Sequence, residues 1–210
     1  ALDPSKLRIA NESDVYAMNK MIKIPNEDLF TSIPDKKKIN YNNESFSTYI
    51  KTVENDKLLD GNVANFRHKS KEGGLDTIGF GHKLTEEENK NNMVYGYDLS
   101  EIKASTSPER VLEISNDILR QDLEKAEKIL TKNYGNKFIN LDLRRKQMLI
   151  DFQFNGGAGM VTLFKKFRTA VFAGDEKTMK KEYIRSFKAA NGTRKTLARN
   201  DFFKKYFLNK

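Results

Sequence analysis

Two stretches of the chain carry residue types that could perform acid–base chemistry on a substrate. The first ends at Glu54, which follows an apolar pattern at helical spacing formed by Phe46, Tyr49, Ile50 and Val53. A glutamate that is partly buried at the end of such a helix can keep its proton and act as a general acid, because burial penalises the charged form. The alternative is that Glu54 faces solvent, as most glutamates do.

The second stretch is residues 76–82, with the sequence Asp-Thr-Ile-Gly-Phe-Gly-His. Glycines at positions 79 and 81 let the backbone approach a ligand closely, and the hydroxyl of Thr77 can hold a water molecule. It is not a phosphate-binding loop, because the lysine and the glycine spacing of that motif are missing.

The elements around these stretches indicate an α+β protein. Alternation around glycines predicts a small antiparallel sheet within residues 65–82. Ser107 followed by Pro108 is typical of a helix start, and an apolar stripe continues to residue 130. Further helices are predicted over residues 143–152, 163–174, 179–187 and 197–207.

Composition limits the functional classes. The 210 residues, 38% hydrophobic and 32% charged, suffice for one domain with a core, and no apolar run is long enough to span a bilayer. The absence of cysteine excludes thiolate nucleophiles. The two histidines are too few for a histidine-rich metal site, so we expect no metal. The net charge of +9 indicates an anionic partner, which nucleic acid, a membrane surface and bacterial wall polymers could each be.

The run from Thr77 to His82 resembles the Thr-Ile-Gly-Tyr-Gly-His signature of the phage lysozymes, glycoside hydrolase family 24. The likeness continues through residues 120–123, 144–154, 164–173 and 193–199, and so covers roughly residues 45–207. Residues 1–44 are then an N-terminal extension or linker, and residues 45–210 a lysozyme-like catalytic domain.

The resemblance implies a small antiparallel β-lobe and a larger helical lobe joined by a long helix. It implies a bacteriolytic muramidase, phage-encoded, that cleaves the β-1,4 bond between N-acetylmuramic acid and N-acetylglucosamine in peptidoglycan. Such an enzyme needs no cofactor and acts in the periplasm or at the cell surface. The extended N-terminal segment favours a virion or tail component, or a portion of one, over a free endolysin.

The resemblance also implies residue roles. Glu54 matches the catalytic acid, and Thr77 matches the threonine that positions the attacking water. Asn155 falls where the family places a substrate-contacting amide, although it could equally end a helix. His82 matches a structural histidine that pairs with an aspartate, here Asp122.

Two further residues are expected beside the substrate, one in the loop between Glu54 and Thr77 and one in the signature. His68 adds a polar group near the cleft, with a solvated loop residue as the alternative. Phe80 stands inside the signature itself.

The chain departs from the family pattern of glutamate, eight residues, aspartate, five residues, threonine, because Glu54 and Thr77 stand eight residues further apart. Lys71 occupies the position of the aspartate. Glu72 is our candidate for the second carboxylate, ahead of Asp76 and Asp60, because a shift of one residue within a longer loop could turn it inward.

The identity of the second carboxylate decides the mechanism. If Glu72 activates water, the enzyme is an inverting hydrolase. If no carboxylate reaches the site, Glu54 could act alone as a lytic transglycosylase that gives 1,6-anhydro-muramyl products. Two alternatives from other classes are a basic nucleic-acid-binding module, which we do not expect because the aromatic residues look like core, and a wall-binding module without catalysis.

Overall fold

A computed structural model of the chain describes residues 39, 41, 44–54, 65–69, 76–188 and 194–209. Within these ranges the protein combines helices with small antiparallel sheets, as the α+β prediction requires. Glu72, Asp60, Lys71 and nearly all of the predicted N-terminal extension lie outside the described residues. No helix in the described ranges is long and apolar enough to cross a membrane.

The helices provide most of the structure. In chain order they are α1 (Glu44–Glu54), α2 (Glu86–Asn91), α3 (Pro108–Tyr134), α4 (Asn136–Ile139), α5 (Leu143–Gly156), α6 (Met160–Leu163), α7 (Lys165–Ala173), α8 (Glu176–Glu182) and α9 (Arg199–Phe203). Short 3-10 helices span Leu99–Glu101 and Gly157–Gly159, and a π-helical segment, Lys204–Leu208, follows α9.

The strands form three small antiparallel sheets. They are β1 (Asn65–Lys69), β2 (Asp76–Gly79), β3 (His82–Lys83), β4 (Met93–Val94), β5 (Tyr97–Asp98), β6 (Ser186–Lys188) and β7 (Arg194–Thr196). The predicted sheet is β1-β2-β3, whereas β4 pairs with β5 and β6 with β7. Thr77 lies opposite both His68 and Lys83. Residues directly opposite each other in antiparallel strands share a face, so these three form a row across the sheet.

Helix α3 is the longest element and connects two parts of the fold. It begins as predicted, with Pro108 at its first turn and the Ser107 hydroxyl accepting a hydrogen bond from the Arg110 amide at 3.3 Å. One face buries residues at helical spacing, among them Ile114, Ile118 and Leu123. The sheet strands β2 and β3 and helix α5 pack against α3, so the helix links the glycine-rich sheet to the helical part.

The core is centred on helix α5 and is rich in aromatic rings. Phe152 is fully buried, and its ring centroid lies 4.3 Å from that of Phe167 and 5.4 Å from that of Phe203. Helix α1 joins the same core, because the Tyr49 ring meets the Phe207 ring at 5.2 Å. These contacts fix the end of α1, and with it Glu54, against the C-terminal part of the chain.

The prediction of one helix over residues 179–187 is wrong. Helix α8 ends at Glu182, and Ser186 begins strand β6. The backbone hydrogen bonds of this segment go to β7, and the Asn200 side chain holds the Arg185 backbone from both sides, accepting from its amide at 2.9 Å and donating to its carbonyl at 2.7 Å. These partners are remote in sequence, and local helical spacing could not reveal them.

Candidate functional site

A cleft of about 720 Å³ contains most of the residues predicted from the sequence. Its walls come from the end of α1, strands β1 to β3, helix α3, the end of α5 and the segment after β7. The predicted residues that line it are Glu54, His68, Thr77, His82, Asp122 and Asn155. The structure therefore brings together residues that are up to 101 positions apart in sequence, from Glu54 to Asn155.

Glu54 is the last residue of α1, and its side chain is 17% exposed. One carboxylate oxygen, Oε1, accepts a hydrogen bond from Arg199 Nη1 in an ion pair. The other oxygen lies against Gly81, where φ is +93° and an added Cβ would stand 2.6 Å from Glu54 Oε2. Gly81 therefore allows a close backbone approach, as the sequence indicates, but the group approached is the carboxylate of Glu54.

Arg199 is held in place by a buried aspartate, Asp151. Arg199 Nε and Nη2 donate to Asp151 Oδ1 at 3.1 and 2.6 Å, and the Tyr49 hydroxyl donates to the same oxygen at 3.2 Å. Asp151 is fully buried within α5. Burial lowers the pKa of Arg199 to about 10, which leaves its guanidinium charged at neutral pH.

A second arginine completes this network. Arg185 is 1% exposed, and its Nη1 donates to Asp151 Oδ2 at 2.7 Å. Its guanidinium carbon lies 4.3 Å from the centroid of the Phe152 ring, a favourable stacking arrangement for a cation. Burial raises the pKa of Asp151, while the charge of Arg185 and its hydrogen bond work in the opposite direction.

This network could not be predicted from the sequence. Asp151 was the available signal, because it is a charged residue inside the apolar run from Met148 to Phe152. A buried carboxylate in such a run requires cationic partners. Arg185 and Arg199 stand 34 and 48 residues further along the chain, and nothing local identifies them as those partners.

The row across the first sheet faces the cleft. Thr77 is 5% exposed in the centre of the row, and His68 Nδ1 lies 2.8 Å from the carbonyl oxygen of Phe66. Asp76, the alternative candidate for the second carboxylate, is engaged with two cations. Its side chain forms ion pairs with Lys69 and Arg67 at 3.0 Å, and hydrogen bonds from these two residues lower its pKa.

His82 lies between two carboxylates at one side of the cleft. Its Nδ1 is 2.8 Å from Asp122 Oδ2, and its Nε2 is 3.3 Å from Glu88 Oε1. Tyr95 donates to the other oxygen of Asp122 at 2.7 Å. Burial opposes the charged imidazolium, but the hydrogen bond and charge of Asp122, with Glu88, outweigh it and raise the pKa of His82.

The contacts of His82 with Asp122 and Glu88 predict that stability depends on pH. Because the pKa of His82 is raised above 6.5, its charged pairing contributes fully below about pH 6 and is lost as pH rises through the raised pKa. The substitution His82→Asn should therefore cost about 2 kcal/mol of unfolding free energy at pH 5.5 and clearly less at pH 9.5. Urea unfolding at both pH values measures this difference, and an equal loss at both would show that packing alone is responsible.

Asn155 presents a polar atom that none of the described residues satisfies. Its side-chain oxygen Oδ1 is buried and has no hydrogen-bond donor within the described ranges. Asn155 is not the C-cap of helix α5, because Gly157, with φ of +68°, has that position. A buried acceptor without a donor is unfavourable, so an N–H group of a ligand in the cleft would satisfy it.

The prediction that Phe80 contacts the substrate is not supported. Phe80 is 4% exposed and belongs to the hydrophobic core, and it does not line the cleft. Its position is explained by burial of its apolar ring, over which Lys51 Nζ lies at 5.5 Å from the centroid.

In the described ranges, no group of three or more histidine, aspartate and glutamate side chains could hold a metal ion. Comparison of the chain with protein-family models, curated proteins and solved structures gave no match.

Proposed function

We propose that the protein is a muramidase of lysozyme-like fold that cleaves the glycan strands of bacterial peptidoglycan, with Glu54 as the acid. The observation that carries this proposal is the position of Glu54. It ends a helix with one apolar face, is largely buried, and lies with Thr77 and Asn155 in a cleft large enough for sugar rings. The resemblance of residues 77–82 to the phage lysozyme signature supports the same reading.

The contact with Arg199 affects the proposed acid in two opposite ways. When Glu54 gives its proton to the glycosidic oxygen it becomes a carboxylate, and a guanidinium beside it stabilises that charged form. The same contact opposes the protonated form before reaction. The resulting balance between acid strength and the protonated fraction is the usual compromise in general acid catalysis.

The carboxylates that line the described part of the cleft favour a second candidate, a lytic transglycosylase. Besides Glu54 they are Glu88 and Asp122, and both are engaged with His82. In this reaction the bond between the anomeric carbon and the leaving oxygen breaks, and that oxygen takes the proton of Glu54. The muramyl 6-hydroxyl then bonds to the anomeric carbon and passes its proton to the carboxylate of Glu54. The hydrolytic alternative requires Glu72 or another carboxylate to activate water.

Mass spectrometry of the muropeptides released from purified peptidoglycan tests both candidates. Reducing muramyl ends from the wild type that disappear in Glu72→Gln would establish a two-carboxylate hydrolase. Anhydro-muramyl ends that persist in Glu72→Gln would establish a transglycosylase. If the wild type releases no glycan fragments from peptidoglycan, the proposed function is wrong.

Two lysines in the cleft give a prediction about substrate binding. Lys83, in the row with Thr77, and Lys125, on α3, line the cleft and are exposed, and neither forms an ion pair with a residue of the described ranges. The double substitution Lys83→Glu/Lys125→Glu should raise KM for peptidoglycan roughly tenfold and change kcat little, because it removes attraction for an anionic substrate without altering Glu54.

The matched control is Lys180→Glu/Lys181→Glu, which changes the net charge equally on α8, outside the cleft lining. Initial rates over a range of peptidoglycan concentrations separate KM from kcat. Equal effects of the two double substitutions would show that overall charge, and not the cleft, determines binding.

A further inference from the structure

Four alternating charges run from the core to the cleft. Arg185 pairs with Asp151 at 2.7 Å, Asp151 with Arg199 at 2.6 Å, and Arg199 with Glu54. Asp151 is 0%, Arg185 1% and Arg199 6% exposed. Because these three side chains are buried and Glu54 is only partly exposed, each charge influences the next more strongly than it would on the surface.

The hydrogen bonds of Asp151 orient the Arg199 side chain. A guanidinium is planar, and Asp151 Oδ1 takes two of its donors, Arg199 Nε and Nη2. The plane is thereby fixed, and the remaining nitrogen, Nη1, is directed to Glu54. Arg199 itself stands on α9, so a partner on α5 is needed to fix the far end of its side chain.

The charges give Asp151 an electrostatic role as well. Asp151 partly compensates the charge of Arg199 and thereby weakens the preference that Arg199 imposes for a charged Glu54. Arg185 competes for the same carboxylate of Asp151 and limits this compensation. Removal of Asp151 and removal of Arg185 should therefore act on Glu54 in opposite directions.

We propose that Asp151 is a positioning residue for Glu54, which acts through Arg199 to orient the guanidinium and to set how readily Glu54 holds its proton. The consequence for catalysis depends on the proposed function, whereas the coupling between the four charges does not.

Other titratable groups contact the network or surround Glu54, and apart from Tyr49 they remain in place in the variants below. Tyr49 on α1 touches Asp151. Among the described residues, the titratable groups that line the cleft beside Glu54 and Arg199 are His68 and Lys69 on β1, His82 and Lys83 on β3, Glu88 on α2, and Asp122 and Lys125 on α3.

The test is titration of the Glu54 side-chain carboxyl carbon by carbon-13 NMR in the full chain, with the signal assigned by its loss in Glu54→Gln. In Asp151→Asn the midpoint should move to lower pH by roughly half a unit or more, because Arg199 is left uncompensated. In Arg185→Met it should move to higher pH, because Asp151 then acts on Arg199 alone. Tyr49→Phe removes only a neutral donor and should leave the midpoint in place.

Shifts of opposite sign would support the proposal, because a merely structural disturbance has no reason to give them. Unchanged midpoints, or a shift in the same direction in both charge variants, would overturn it, as would an equally large shift in Tyr49→Phe. If Asp151→Asn does not fold, the direction of the Arg185→Met shift still decides.

A second readout links the proposal to catalysis. If the wild type cleaves peptidoglycan, the alkaline limb of the pH dependence of kcat should move with the Glu54 midpoint in each variant. If the wild type is inactive, the proposed function fails while the NMR titration still tests the coupling. A limb that does not move although the midpoint does would remove the catalytic part of the proposal.

Discussion

Glu54→Gln should lower the rate of peptidoglycan cleavage by about 10²- to 10⁴-fold, the range typical for loss of a general acid. Glutamine keeps the size of the side chain and an oxygen that can accept the hydrogen bond from Arg199, but it has no acidic proton to transfer. KM should change little, because the cleft walls remain in place. Release of soluble glycan fragments from purified peptidoglycan measures the rate.

The matched control is Glu87→Gln on α2. Glu87 is exposed and does not line the cleft, so its substitution changes the net charge equally and should leave the rate within twofold of the wild type. Unfolding curves of both variants exclude misfolding as the cause of a loss. A fully active Glu54→Gln would remove Glu54 from the mechanism, even if the protein does cleave the wall.

The second large effect is expected in stability, at the buried charges. Asp151→Asn leaves Arg185 and Arg199 without the carboxylate they share, and Arg185→Met takes one cation from the buried Asp151. Each single substitution should reduce the free energy of unfolding by about 3–5 kcal/mol, because an unpaired charge in the core is costly. Urea unfolding monitored by circular dichroism measures the loss.

The double variant Asp151→Asn/Arg185→Met shows whether the loss comes from unpaired charge. It removes the pair together and leaves Arg199 with Glu54, so it should lose clearly less than the sum of the two single effects. Asp201→Asn, exposed on α9, is the control and should stay within about 0.5 kcal/mol of the wild type. Additive losses would mean that the two residues stabilise the fold independently.

Features set by local sequence could be predicted. The start of α3 follows from Ser107 and Pro108, because a cap and a first-turn proline act within a few residues. The small sheet follows from alternation around Gly79 and Gly81. The contact between His82 and Asp122, 40 residues apart, was expected only from the resemblance.

Features set by distant partners could not be predicted. Asp151 receives its partners from residues 49, 185 and 199, which only the completed fold brings together. Strand β6 forms because it pairs with β7, and the Asn200 side chain binds the backbone of Arg185, just before the strand begins. Phe80 illustrates a different limit, since a position in a signature does not show whether a side chain faces the cleft or the core.

The contact between Glu54 and Arg199 joins residues 145 positions apart, and it has a consequence for how the protein is made. During synthesis on the ribosome, Glu54 emerges long before Arg199 and before Phe207, whose ring packs on Tyr49 at 5.2 Å. A nascent chain, or one truncated before residue 199, lacks the groups that orient its acid. If the proposed function is right, wall-degrading activity would begin only after translation reaches the last helices.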